Sequence, residues 1–168
     1  RNADYVFLLN QDAWVENDTI GKLVDSFSFA ENIGIVSPVH MNGAGADLDK
    51  NFSLFMPSGF ISDAYLNKLK YFYFSNYVNA AAWMLSADCI RKIGGFDTLL
   101  FTHYGEDDNY CQRLEYHGFK LLVNTHTRIY HDRENRGDED QYRNSIWKNK
   151  NAELWEKMSL GNINNDFN

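Results

Sequence analysis

Three sets of polar residues in this 168-residue chain fall where apolar runs give way to solvent. Asp12 follows the run Tyr5–Leu9, with Asn10 just before it; Glu106, Asp107 and Asp108 lie together; His131 closes Arg128–Tyr130. Asp12 and His131 would offer a hard carboxylate oxygen and an imidazole, a donor pair suited to Mn²⁺ or Mg²⁺ held alongside diphosphate oxygens. A cation there neutralises a leaving nucleotide diphosphate. The three adjacent acids crowd like charges, which raises at least one pKa and helps a carboxylate act as a general base. A carboxylate base beside a diphosphate-bound metal describes displacement at a sugar's anomeric carbon by a hydroxyl.

Each residue also has a plainer reading. Asp12 could be a turn or cap residue, the acid run could complement a helix macrodipole, and His131 could be a surface histidine. Trp83 could be core or a stacking platform for a sugar ring, and with Asp108 it is the candidate contact to an acceptor. His40, His103, His117 and His126 show no ligand spacing. Only the ordered combination favours chemistry, and it does so if the strands are roughly parallel and bring the groups to one rim.

Several classes fall away on composition. The length fits one domain, and 44% apolar with 23% charged residues is ordinary for a globular fold. Sixteen basic against 23 acidic residues give a net charge of −7, which argues against a nucleic-acid surface. The longest apolar run, Ala80–Leu85, is far short of a membrane span. Cys89 and Cys111 form neither a disulfide framework nor a zinc spacing and read as buried thiols in a reducing compartment. No signal peptide is visible, nor an initiator Met, so the chain reads as a piece of something longer.

The elements that must position these residues alternate, which points to the α/β class. Tyr5–Leu9 reads as a fully buried strand of a parallel or mixed sheet. A helix runs from an Asn17 or Asp18 cap to about Ala30, and Ile33–Val39 is a second buried strand closed by Pro38. Met41–Asn51 reads as a polar loop; Phe52–Phe74 is aromatic-rich without a clean period. Tyr77–Leu85 reads as a strand, and Ser86 caps a helix over Ala87–Ile93 that ends at Gly94-Gly95. Gly105–His117 reads as an amphipathic helix stopped by Gly118. Phe119–Val123 and Thr127–Tyr130 read as two short strands. Asp138-Glu139-Asp140 reads as a solvated helix start, Glu139–Leu160 as helix with Ile146, Trp147, Leu154 and Trp155, and 161–168 as a frayed tail.

With these residues in view, the chain resembles the family-2 glycosyltransferases of GT-A fold, and by pattern their rhamnosyltransferase-like subgroup. The likeness is carried by Asp4–Asp12, Gly34–Pro38, Asn79–Ser86, Ile93-Gly-Gly-Phe-Asp97, Tyr104–Arg113, Gly118 and Tyr130-His131, in order over residues 4 to 132. It implies a partial, Rossmann-like α/β GT-A domain: a mixed sheet flanked by helices, with the nucleotide-binding N-terminal strands missing. By position, Asp12 matches the last acid of the Asp-X-Asp-type metal motif and Asn10 its first. Asp107 matches the catalytic base, Glu106 a contact to sugar hydroxyls, and His131 a late metal ligand. The resemblance implies an inverting transfer from a nucleotide-diphospho-sugar to a saccharide or lipid-linked saccharide acceptor, in bacterial surface-polysaccharide synthesis. It also implies a cytoplasmic enzyme peripheral to the membrane.

The chain departs from the family at Gln11, where Pro is common, and at Asn109, where an acid is frequent. The first strand is central in the family's sheet; here its free edge would be prone to associate, so a homodimer across it is expected. Two other readings stay open: a related sugar nucleotidyltransferase, and a non-catalytic carbohydrate-binding module on the same scaffold. Specificity would sit in Met41–Phe74, where Phe60 and Tyr65 could line a groove or pack the core.

Overall fold

The computed structural model describes residues 3–101 and 105–133, so His103, Tyr104, the helix expected over Glu139–Leu160 and the expected tail 161–168 lie outside the described residues. In chain order the elements are β1 (Tyr5–Leu9), β2 (Ala13–Val15), α1 (Thr19–Asp25) with a 3₁₀ turn (Ser26–Ser28), β3 (Ile33–Asn42), α2 (Lys50–Leu54), α3 (Phe60–Tyr65), β4 (Phe72–Ser75), β5 (Ala82–Ser86), α4 (Ala87–Ile93), α5 (Glu106–Tyr116) and β6 (Lys120–His131). Among these residues the strands form one mixed sheet in the order β1-β5-β3-β6-β2, with β4 also on β6. β3 and β6 are parallel; β5 runs antiparallel to both β1 and β3. The carboxyl ends of β1, β3 and β6 therefore share a rim with the amino end of β5.

Alternation along the strands splits the core in two. Ile35, Leu85, Leu121 and Val123 face α4 and α5, where Cys89, Tyr110, Cys111 and Leu114 meet them. Val36, Met84 and Leu122 face α1 and bury Leu23. Gly34 sits where side chains of α4 and α5 press on β3. A Cβ there would lie 2.7 Å from Leu114 Cδ1 and 3.0 Å from both Cys89 Sγ and Phe119 Cβ.

β3 does not stop at Pro38 but continues to Asn42. Pro38, which has no N–H to give a ladder, sits at a register shift: Pro38 pairs with Asn124 and Val39 with Arg128, so residues 125–127 of β6 have no partner on β3. For the same reason the two expected strands 119–123 and 127–130 are one strand with a bulge. Side chains close the bulge: Asn124 Oδ1 accepts from His126 N (2.8 Å), and Thr127 Oγ1 donates to Asn124 O (3.0 Å). Beyond it, β6 pairs with β2, and Ile129 packs with Ala81, Ala82, Phe7, Ala13 and Val15. That small core includes Ala13, the residue that follows the Asn10–Asp12 turn.

β1 differs from expectation. It pairs only with β5 in the described sheet, which leaves the other edge free as expected, but Tyr5, Val6 and Leu9 are exposed rather than buried. α1 ends at Asp25 because Ser26 Oγ turns back onto Lys22 O and the chain tightens to 3₁₀. The loop expected through Asn51 yields to α2, because Asp49 Oδ1 accepts from Asn51 N and Phe52 N and so caps that helix. Gly34→Ala should destabilise the fold by about 1–3 kcal/mol through overpacking, read as a lower urea midpoint at unchanged m-value.

Candidate active site

The turn after β1 starts from backbone bonds. Asn10 N donates to Ala81 O (2.9 Å), and Asn10 O accepts from Ala13 N (3.1 Å), which reverses the chain into β2. β2 then pairs Ala13 with His131, and Asp132 N donates to Asp12 O (2.9 Å). These contacts bring Asp12 and His131, far apart in sequence, side by side. His131 Nε2 lies 3.2 Å from Asp12 Oδ1. The approach is close but misaligned, so the buried nitrogen makes no hydrogen bond. Asn10 is exposed at the same turn.

On its other side, His131 Nδ1 lies 3.5 Å from Asp49 Oδ2 and 3.2 Å from Arg133 Nε, which is itself 3.1 Å from Asp49 Oδ2. Burial alone would raise the Asp49 pKa. The nearby His131 ring, the N–H of Phe52 and the charge of Arg133 outweigh it and hold the carboxyl down to about 2.

The acid run opens α5, and its entry requires Gly105, which adopts φ 92 in the left-handed region. Asp107 Oδ2 accepts from Tyr77 O–H (2.9 Å) and Ala80 N (3.3 Å), and its Oδ1 accepts from Asp108 N (3.0 Å). Asp107 is thus anchored at Ala80 and Asn10 at Ala81, neighbours on the approach to β5. The turn bearing Asp12 and the start of α5 share the rim. Burial, then the Asp107 and Asp108 charges, push the Tyr77 hydroxyl far up, so it remains a donor. Burial first, then Asp107 and Glu106, lift Asp108 to about 7. On Asp108, burial is the larger cause and the crowding of like charges adds to it. Glu106 is half-buried at the first helical position.

Trp83 is a correction. It is fully buried, donates from Nε1 to Val78 O (3.1 Å) and packs on Phe96 and Tyr110. It supports α5 from within and offers no face to a sugar. Phe60 is core and Tyr65 is exposed. Asn109 is buried, with Oδ1 accepting from Arg113 Nε (3.0 Å). Arg113 also donates to Ile93 O (3.0 Å) and Gly95 O (2.7 Å), which ties the Gly-Gly-Phe-Asp turn to α5. Both cysteines are buried free thiols. Sequence reading missed Asp49, Arg133 and Tyr77. Asp49 three residues before apolar Phe52 is a cap signal that could have lifted it out of the loop; nothing local marks the other two.

Among the described residues, no group of three or more His, Cys, Asp or Glu side chains is arranged to hold a metal ion. The pair Asp12–His131 nevertheless fits one. A buried imidazole nitrogen without a hydrogen bond faces a carboxylate oxygen, and this mixed donor set suits Mn²⁺ or Mg²⁺ when diphosphate and water fill the other positions. A concavity of about 580 Å³ lies at the opposite rim, between Tyr5 and Ser86, and holds none of these residues.

The sign of the Asp108 shift gives a pH dependence. Its carboxyl binds its proton more tightly folded than unfolded, so the contribution to stability is present at low pH and is lost as pH rises from about 4 to about 7. Asp108→Asn should raise the melting temperature at pH 8, with a gain that shrinks steadily below pH 7 and vanishes near pH 4; thermal melts across that range check it.

No family model matches the chain, and no curated protein does. Among solved structures it is similar to GalNAc-T7, crystallised with UDP, GalNAc and Mn²⁺: TM-score 0.56 at 17% identity, over 77% of this chain and 27% of that one. It is also similar to A197 from STIV, with TM-score 0.47 and 14% identity over 76% of this chain and 57% of that one. The chain spans about a quarter of the length of GalNAc-T7. What the first likeness shows is the fold: a mixed α/β sheet flanked by helices, part of a GT-A glycosyltransferase architecture.

Proposed function

We propose that this chain is the metal- and acceptor-binding part of an inverting glycosyltransferase. It would take a nucleotide-diphospho-sugar donor and a saccharide or lipid-linked saccharide acceptor. The observation that supports this reading is that Asp12 and His131 lie side by side while Asp107 and the turn bearing Asp12 are anchored at the adjacent residues Ala80 and Ala81. The GalNAc-T7 structure, with its UDP, GalNAc and Mn²⁺, supports the donor and metal classes. The rhamnosyltransferase-like sequence pattern supports a bacterial surface-polysaccharide role at the cytoplasmic face of a membrane. No helix among the described residues is long and apolar enough to cross one.

Asp12 and His131 would hold the cation, with Asn10 beside them, and Asp107 would be the base. A divalent cation bound there neutralises negative charge on a leaving diphosphate. Asp107 takes the proton of the acceptor hydroxyl; that oxygen bonds to the anomeric carbon, and the bond to the diphosphate breaks with its electrons leaving on oxygen. The Tyr77 hydroxyl and the Ala80 amide fix one oxygen of Asp107 and hold the carboxylate in place. Glu106 and Asp108 would contact sugar hydroxyls. Asp108, lifted to about 7, can donate as well as accept there.

Asp107→Asn in the whole protein should lower sugar transfer by about 10²–10⁴-fold while Mn²⁺ binding and the thermal melt stay as in wild type. Unchanged transfer would contradict the assignment, and saccharide binding without turnover in the wild type would favour a binding module. Tyr77→Phe should cost less, about tenfold or below, because the Ala80 amide still holds Asp107.

A further inference from the structure

Asp49 does more than a helix cap requires. The chain leaves β3 at Asn42 and returns so that Leu48 bridges Met41 and Asp49 N donates to His40 O (2.9 Å). Asp49 Oδ1 then accepts from Asn51 N and Phe52 N, both at 3.0 Å. Phe52 is buried and stacked on His40 with ring centroids 4.7 Å apart, so the cap is held from both sides. A neutral Ser or Asn would serve that cap equally well. The other oxygen places a buried negative charge in the interior, which is costly unless it is paired. Its pairing is with Arg133 Nε at 3.1 Å, and the nearest ring nitrogen is His131 Nδ1 at 3.5 Å.

Two arrangements of one proton compete here. Arg133 Nε stands in donating geometry to Nδ1 at 3.2 Å, and while it donates there Nε2 carries the ring proton and cannot be a ligand. If the proton is on Nδ1, Nε2 presents a lone pair, and Nδ1–H needs an acceptor. Asp49 Oδ2 can draw both Nδ1–H and the Arg133 N–H to itself. Resting on the metal-site reading above, we propose that Asp49 is a positioning residue for that site: its Oδ2 accepts from His131 Nδ1–H and thereby holds the Nε2 lone pair toward Asp12. An imidazole ligand oriented by a carboxylate on its far nitrogen gains basicity and loses rotational freedom. Arg133 balances the buried carboxylate so that it stays ionised.

The test uses the whole protein, Mn²⁺ alone and Mg²⁺ alone. Asp49→Asn keeps the capping oxygen but turns an NH₂ group toward Nδ1; Asp49→Ser keeps a cap and removes the acceptor. The free-Mn²⁺ paramagnetic resonance signal gives affinity, and ring ¹⁵N shifts of His131 under Mg²⁺ saturation locate its proton, the resonances being assigned by their loss in His131→Gln. The expected result is Mn²⁺ binding weakened about ten- to hundredfold in both variants, with cooperative melts retained, and the wild-type proton on Nδ1. Wild-type affinity in either folded variant, or a wild-type proton on Nε2 with Mg²⁺ bound, would overturn the role of Asp49 while leaving the metal site standing. Wild-type protein that takes up no Mn²⁺ would overturn the metal reading and this proposal together. If one variant does not fold, the other and the wild-type ¹⁵N shifts still decide.

Discussion

The bend in β6 between Asn124 and Arg128 is the constraint on which the rest of the site depends. Up to Asn124 the strand lies beside β3 in the body of the sheet; beyond residues 125–127, which have no partner on β3, it resumes the pairing and also meets β2. Only in that second half can His131 lie opposite Ala13 and beside Asp12. The bend is held by satisfied buried polar groups. Asn124 is fully buried, donates from Nδ2 to Ser26 Oγ (2.7 Å) and receives His126 N. Such groups cost several kcal/mol if left unpaired, so the bulge persists only while its hydrogen bonds do.

Two further devices set the rim. One is the anchoring of Asn10 and Asp107 to adjacent residues: Asn10 N donates to Ala81 O, and the Asp107 carboxylate accepts from Ala80 N, which ties the turn after β1 and the start of α5 to one short segment. The other is the pair of cores on the two faces of the sheet. The larger packs Trp83 of β5 against Tyr110 of α5, so the acid run is presented by a helix whose Tyr110, Cys111 and Leu114 are buried. Rigid elements hold the charged groups, and the charges themselves need little adjustment.

The elements most legible in the sequence are those with local punctuation. Ser86 and Gly94 bracket α4, and Gly105 and Gly118 bracket α5, because capping chemistry is short-range. What depended on pairing was not legible. β1 reads as buried from its run of apolar residues, yet burial is decided by neighbours, and at the sheet edge Tyr5, Val6 and Leu9 stay exposed. Pro38 reads as a stop because the matching bulge is some 86 positions away on β6, where Asn124 itself reads as a break. Among site residues, the acids at 12 and 107 and His131 stand out by motif. Asp49 and Arg133 do not, since their meaning arises only when the loop after β3 folds onto the end of β6. Trp83 could have been either core or platform by type; the Val78 carbonyl that takes its N–H decides for core.

The most direct test of the account is a crystal of the protein soaked in Mn²⁺ with a nucleoside diphosphate, with diffraction collected at an energy where manganese scatters anomalously. The account predicts one strong peak within coordination distance of both Asp12 and His131 Nε2, on the rim that also carries Asp107. A peak elsewhere, or none beside His131 at full nucleotide occupancy, would contradict it.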